Sequence, residues 1–139
     1  MDLGRGESPH DSAWVLDDDA SPPRVFCGDL VVDHMHCYLA DGFHEEWPAN
    51  LRRARRELPG DASMYMGHGK PGAASALVDW TDGYVEVVVD AVRQTPPTDD
   101  AAAFAAAVTR TVRSYLPGDD LLFLMQLSIE PLRRRLHTA

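Results

Sequence analysis

The stretch Arg24–Val32, RVFCGDLVV, decides how this chain reads. Arg24 to Cys27 (RVFC) has the composition of a short strand. It runs straight into Gly28-Asp29, a turn-forming pair that leaves a carboxylate at a strand end. Leu30-Val31-Val32 then prolongs the apolar run, and sheet is expected through it. Upstream, Ala13 to Leu16 (AWVL) is a second apolar run. Between the two, Asp17 to Pro23 (DDDASPP) is rich in turn-formers and predicts a hairpin connection. The nine residues ahead of His10 are polar, carry glycine and proline, and read as loop.

Beyond Phe43 the period changes. Trp47, Leu51, Ala54 and Leu58 share one helical face, with Pro48 tolerable only in the first turn and Pro59-Gly60 as the stop. The arginines of the run 52–56 then form a solvated face. Ala62 to Met66 reads as a short strand that ends at Gly67-His68-Gly69. Leu77, Trp80, Tyr84, Val87, Val88 and Ala91 fit a helix, although Val85 to Val89 (VEVVV) favours strand by propensity. Thr95 to Thr98 (TPPT) breaks it. Asp99 or Asp100 can cap a third helix carrying Phe104, Val108 and Tyr115. Asp119 or Asp120 can cap a fourth through Leu121, Leu124, Ile129 and Leu132, in which Pro131 predicts a kink or break. Trp14, Trp47 and Trp80 are expected in the core. The order is strands, a helix, a strand, then helices, so the fold class is α/β of the α+β kind.

Composition narrows the function. The chain has 139 residues, 45% of them hydrophobic, and a net charge of −9. One domain is expected, with residues 1–71 supplying a sheet and 72–139 a helical region. The acidic balance argues against a nucleic-acid partner, which needs a basic footprint. No apolar run is long enough to span a bilayer, and no signal peptide is visible, so a cytoplasmic location and no membrane partner are expected. Cys27 and Cys37 read as small buried thiols rather than as a disulfide framework.

Three residues point to chemistry as a set. His10 precedes one strand, Asp29 follows the next and His68 follows a third. Imidazole and carboxylate groups are zinc donors, and a zinc-held water becomes a nucleophile near neutral pH. His68 lies between two glycines, whose backbone can expose its ring. Ser12, beside Asp11 and His10, suggests a triad only by sequence proximity, whereas triads depend on spatial geometry.

These residues carry a family resemblance. Phe26-Cys27-Gly28-Asp29-Leu30-Val31 resembles the metallo-β-lactamase superfamily's strand ending in Gly-Asp, whose Asp bridges two metals. Tyr65-Met66-Gly67-His68-Gly69-Lys70-Pro71 resembles its Gly-His-Gly segment, and Pro9-His10-Asp11-Ser12 resembles the loop whose His completes the first metal site. His36, in His36-Cys37-Tyr38-Leu39-Ala40-Asp41, matches a histidine common after the Gly-Asp strand in one branch. The resemblance implies the C-terminal half of an αββα sandwich, a hydrolase in which Asp29 is catalytic and His10, Asp29 and His68 hold Zn²⁺. Iron or manganese would accept the same groups. His36 and Lys70 would stand near the metal or the substrate. The family's His-x-His-x-Asp-His motif has no counterpart before His10. His34-Met35-His36 imitates its first half but follows Asp29, and reads as two histidines on one face of a strand or turn. The expectation is a hydrolase of small molecules that lacks half its ligands and is inactive alone. Its missing half would come from further polypeptide or a second chain. The alternative is a non-catalytic remnant serving as an oligomerisation or binding module.

Overall fold

The computed structural model describes residues 1–16 and 22–137. The expected hairpin turn falls largely on residues 17–21, outside the described residues. The chain is a mixed α+β protein with about half of its described residues in helix. The strands are β1 (Asp2–Gly4), β2 (Asp11–Ser12), β3 (Trp14–Val15), β4 (Arg24–Phe26), β5 (Ser63–Tyr65) and β6 (Gly72–Ala73). The helices are α1 (Glu46–Glu57), α2 (Ala74–Gln94), α3 (Ala101–Tyr115) and α4 (Leu122–His137). The chain forms two units, one of Met1–His34 with Phe43–Gly83, the other of Met35–Gly42 with Tyr84–Ala139.

In the first unit β1 and β2 pair antiparallel, so the N-terminal segment expected as loop begins with a strand. Burial of Leu3 at 1% exposure is the physical reason. The larger sheet has the order β3-β4-β5-β6. β3 pairs antiparallel with β4, as the hairpin reading requires, and β5 with β6 likewise. β4 and β5 run parallel, joined through α1, because parallel neighbours need a long crossover. The side-chain alternation of a strand then sorts the two faces. Val25 and Met64, register partners, are fully buried on one. Trp14, Phe26 and Tyr65 are partners on the other, where Trp14 is 71% exposed. The core placement expected for Trp14 is therefore wrong: it lies on the open face of an edge strand.

The sheet expected through Leu30–Val32 does not form. Gly28–Leu30 is a 3-10 turn, and the chain then continues irregularly. These residues are buried nonetheless, and side chains replace a strand partner. Trp47 Nε1 donates to the Leu30 carbonyl at 2.9 Å. Thr81 Oγ1 accepts from Val32 N at 3.2 Å. Trp47, Leu51 and Ala54 form the buried stripe of α1 as the period predicts. The arginines are less idle than a solvated face implies: Arg52 pairs with Asp82 and Arg55 with Asp79, both on α2. Such exposed pairs contribute at most about 1 kcal/mol each.

In the second unit the VEVVV segment is helical. Tyr84, Val85, Val88 and Val92 are fully buried at helical spacing, and that burial outweighs β-propensity. Asp100 caps α3, its carboxylate accepting from the Ala102 and Ala103 amides. Phe104, Val108 and Val112 line the buried side, whereas Tyr115, expected there, is half exposed. Asp119, ahead of α4, contributes its carbonyl to Leu122 N, and its carboxylate pairs with Arg113. The helix runs on through Pro131 without a break. The carbonyl that loses its donor there belongs to Leu127, an exposed residue.

Candidate functional site

The parallel pairing of β4 with β5 builds the site in the first unit. Both strands end at the same edge, with Phe26 opposite Tyr65. Cys27 N bonds to the Tyr65 carbonyl, and Gly67 N to the Gly28 carbonyl at 3.1 Å. The two following loops are thereby held side by side, one bearing Asp29 and the other His68. His68 Nδ1 lies 2.9 Å from Asp29 Oδ1, with both side chains part-exposed. Gly67 makes this approach possible, because a Cβ there would overlap the Asp29 carboxylate.

His10 is placed differently. Its loop is tied by Ser8, whose amide and hydroxyl both donate to the Asp11 carboxylate. The ring is exposed and lines an open depression of about 310 Å³ with Ser12, Trp14, Phe26, Cys27 and Gly28. The structure thus brings Asp29 and His68 into contact, and His10 makes no such contact with either. Among the described residues, no group of three or more His, Cys, Asp or Glu is placed to hold a metal ion. The Ser12 triad is not formed either. Asp11 serves Ser8, and Ser12 Oγ accepts from Trp14 Nε1 at 3.2 Å.

His36 belongs to the second unit and is 1% exposed. Its Nδ1 meets the Tyr84 hydroxyl at 2.6 Å and its Nε2 the Gly118 carbonyl at 2.9 Å. A carbonyl can only accept, so Nε2 carries the hydrogen. Both ring nitrogens are occupied, and none is left for a metal or substrate. His34 is by contrast 65% exposed at its side chain, so the two histidines do not share a face. A left-handed backbone at His34, φ 51°, turns the chain between them.

Sequence reasoning passed over Asp33 and read His34 only as part of an imitation motif. His34 Nδ1 lies 2.6 Å from Asp33 Oδ1, and Asp33 Oδ2 accepts from Lys70 N at 3.2 Å. The His34 hydrogen bond, outweighing a smaller burial effect, holds the Asp33 carboxyl below its usual value of 3.8. The readable signal was the Asp33-His34 step itself, five residues past Gly28. Lys70 is exposed, with its amide committed to Asp33. Cys27 is buried beside Asp29, and that burial pushes its thiol up to about 12.

No family model, no curated protein and no solved structure matches the chain. No helix among the described residues is long and apolar enough to cross a membrane.

Proposed function

We propose that this chain carries part of a metal-dependent hydrolase site of the metallo-β-lactamase type, with Asp29 and His68 as neighbouring ligands. The observation that carries the reading is their contact at the shared end of two parallel strands. Crevices outside the carboxyl ends of strands are where open α/β sheets bind ligands. The donor set fits zinc, as a carboxylate oxygen beside an imidazole nitrogen. The 2.9 Å separation is close to the roughly 3 Å edge between neighbouring ligands each about 2 Å from one ion. A zinc ion bound there would supply a hydroxide nucleophile for an acyl or phosphoryl centre.

The chain's own residues have definite parts in this reading. Asp29 and His68 fix the position of the charge. Gly67 admits the carboxylate. His10, on the loop before β2, lines the depression that Gly28 also lines. Two ligands hold an ion weakly, so in this reading a complete site takes its remaining ligands from further polypeptide or a second chain, as the resemblance to half of an αββα sandwich implies. The open sheet face with Trp14 and Phe26 favours a second reading, an oligomerisation or binding module, since contiguous exposed apolar surface marks interaction sites.

Zinc titration of the metal-stripped chain separates the two. The hydrolase reading expects saturable zinc binding that His68→Ala and Asp29→Asn each abolish. Binding that is absent, or equal in all three proteins, sinks it. A concentration-dependent dimer that Trp14→Ser dissociates would favour the module.

A further inference from the structure

We propose that the outer face of α4 joins two copies of this chain, packed antiparallel about a twofold axis at Leu127. Phe123 and Leu127 stand one turn apart on α4 and are 57% and 60% exposed. Residues four apart share a helical face, and Pro131 and Arg134 continue the same stripe toward the helix C-terminus. The other side of α4, with Met125, Ser128, Ile129 and Leu132, is already buried. Large apolar side chains therefore lie on both sides of this helix, and only one side is covered.

The charge along α4 selects the occupant. At a net charge of −9, two copies repel each other unless cations are gathered at the contact. Arg133, Arg134 and Arg135 gather three of the 13 Lys and Arg residues at the C-terminal end of α4. Asp119 and Asp120 lie just ahead of its N-terminal end. A second α4 running antiparallel, with Leu127 facing Leu127, sets Phe123 against Pro131 of the second copy. Asp120 and Arg134 each lie seven residues from Leu127 in sequence, on opposite sides of it. They face each other across the axis, and twofold symmetry makes the pair form twice.

Both members are placed for this. The Asp120 carboxylate is exposed and has no partner among the described residues. The Arg134 side chain is 75% exposed and holds Glu130 at 3.0 Å. A guanidinium carries five N–H donors, enough to serve Glu130 and a further carboxylate. A parallel mate would set Asp120 against Asp120 and Arg134 against Arg134, and would align the two helix dipoles. With 16 residues, α4 is about 24 Å long, and one such helix from each copy makes a small interface. The dimer is accordingly weak, with a dissociation constant of about 10 µM or more.

Sedimentation equilibrium of the full chain, from about 5 µM to about 1 mM, tests the proposal, with thermal melting to confirm that each variant folds. The parent chain should dimerise. Leu127→Arg places two cations face to face at the axis and should weaken the dimer by about tenfold or more, with an unchanged melt because the residue is exposed. Asp120→Arg and Arg134→Asp should each weaken it by about fivefold or more, and the two together should restore it, since the pair then forms with its signs reversed. Trp14→Ser should leave it intact, which separates this contact from the open sheet face. A parent chain still monomeric at the highest concentration, a dimer indifferent to Leu127→Arg, or a double charge reversal as weak as either single one overturns the proposal. A dimer that Trp14→Ser dissociates and Leu127→Arg does not also overturns it. The contact requires no metal, so the zinc titration can fail or succeed without changing these outcomes.

Discussion

Gly67→Ala gives the sharpest test of how the site is assembled. The Cβ it adds would overlap Asp29 Oδ1 and stand 3.0 Å from Cγ and 3.4 Å from Oδ2. The backbone at 67 is not in the left-handed region, so the effect is steric and local. The carboxylate must turn away, and with it goes the 2.9 Å contact to His68. Asp29 is 37% exposed at its side chain and can turn into water, so global stability should fall by no more than about 1 kcal/mol. Zinc affinity should fall by about 10- to 100-fold, the usual effect of losing a group that orients a metal ligand. That corresponds to roughly 1.4–2.8 kcal/mol of binding. Competition against a chromogenic zinc chelator, with thermal melting alongside, measures both. Gly60→Ala is the control, since its Cβ would meet nothing closer than Arg55 Nη1 at 3.8 Å. Gly67→Ala that binds zinc as tightly as the parent protein, with an unchanged melt, would refute the reasoning.

Three other outcomes are expected. Tyr84→Phe leaves His36 Nδ1 without its hydroxyl partner in a buried site, so urea denaturation should show a loss of about 1–3 kcal/mol. Cys27, its thiol raised to about 12 and its side chain buried, should resist iodoacetamide at pH 8 in the native chain and react once urea unfolds it. Asp33 has a carboxyl pKa depressed below 3.8, so the stability it contributes is present above that pH and is lost as pH falls through the depressed value. Asp33→Asn should therefore flatten the acid limb of the stability profile, and an unchanged limb would count against the His34 contact.

The helices were legible because their signals were local. Trp47, Leu51 and Ala54 announce the buried stripe of α1, and Asp100 announces the cap of α3. Leu30–Val32 misled because burial and strand share one composition. Only Thr81 and Trp47, remote in sequence, show that side chains satisfy that backbone. Trp14 misled because residue type says nothing about whether a sheet face is covered. Asp29 and His68, the two candidates that meet in the structure, were singled out through their glycine neighbours. The Asp33–His34 pair was not, because its further partners are Lys70 and Trp80, which the fold and not the spacing brings to it. The two histidines of His34-Met35-His36 look equivalent in sequence. One positive φ sends them to opposite fates, one buried and one exposed.

The parallel pairing of β4 with β5 also sets when the site can exist during folding. Asp29 and His68 are 39 residues apart in sequence, and nothing local brings them together. The crossover through α1 has to close first, and contacts of long sequence separation are slow to form. A zinc signal during refolding should thus lag the helical signal, appearing only after the two strands have paired. The ion would serve as a clock for the last step of sheet formation, and short peptides carrying either loop alone would be blind to it.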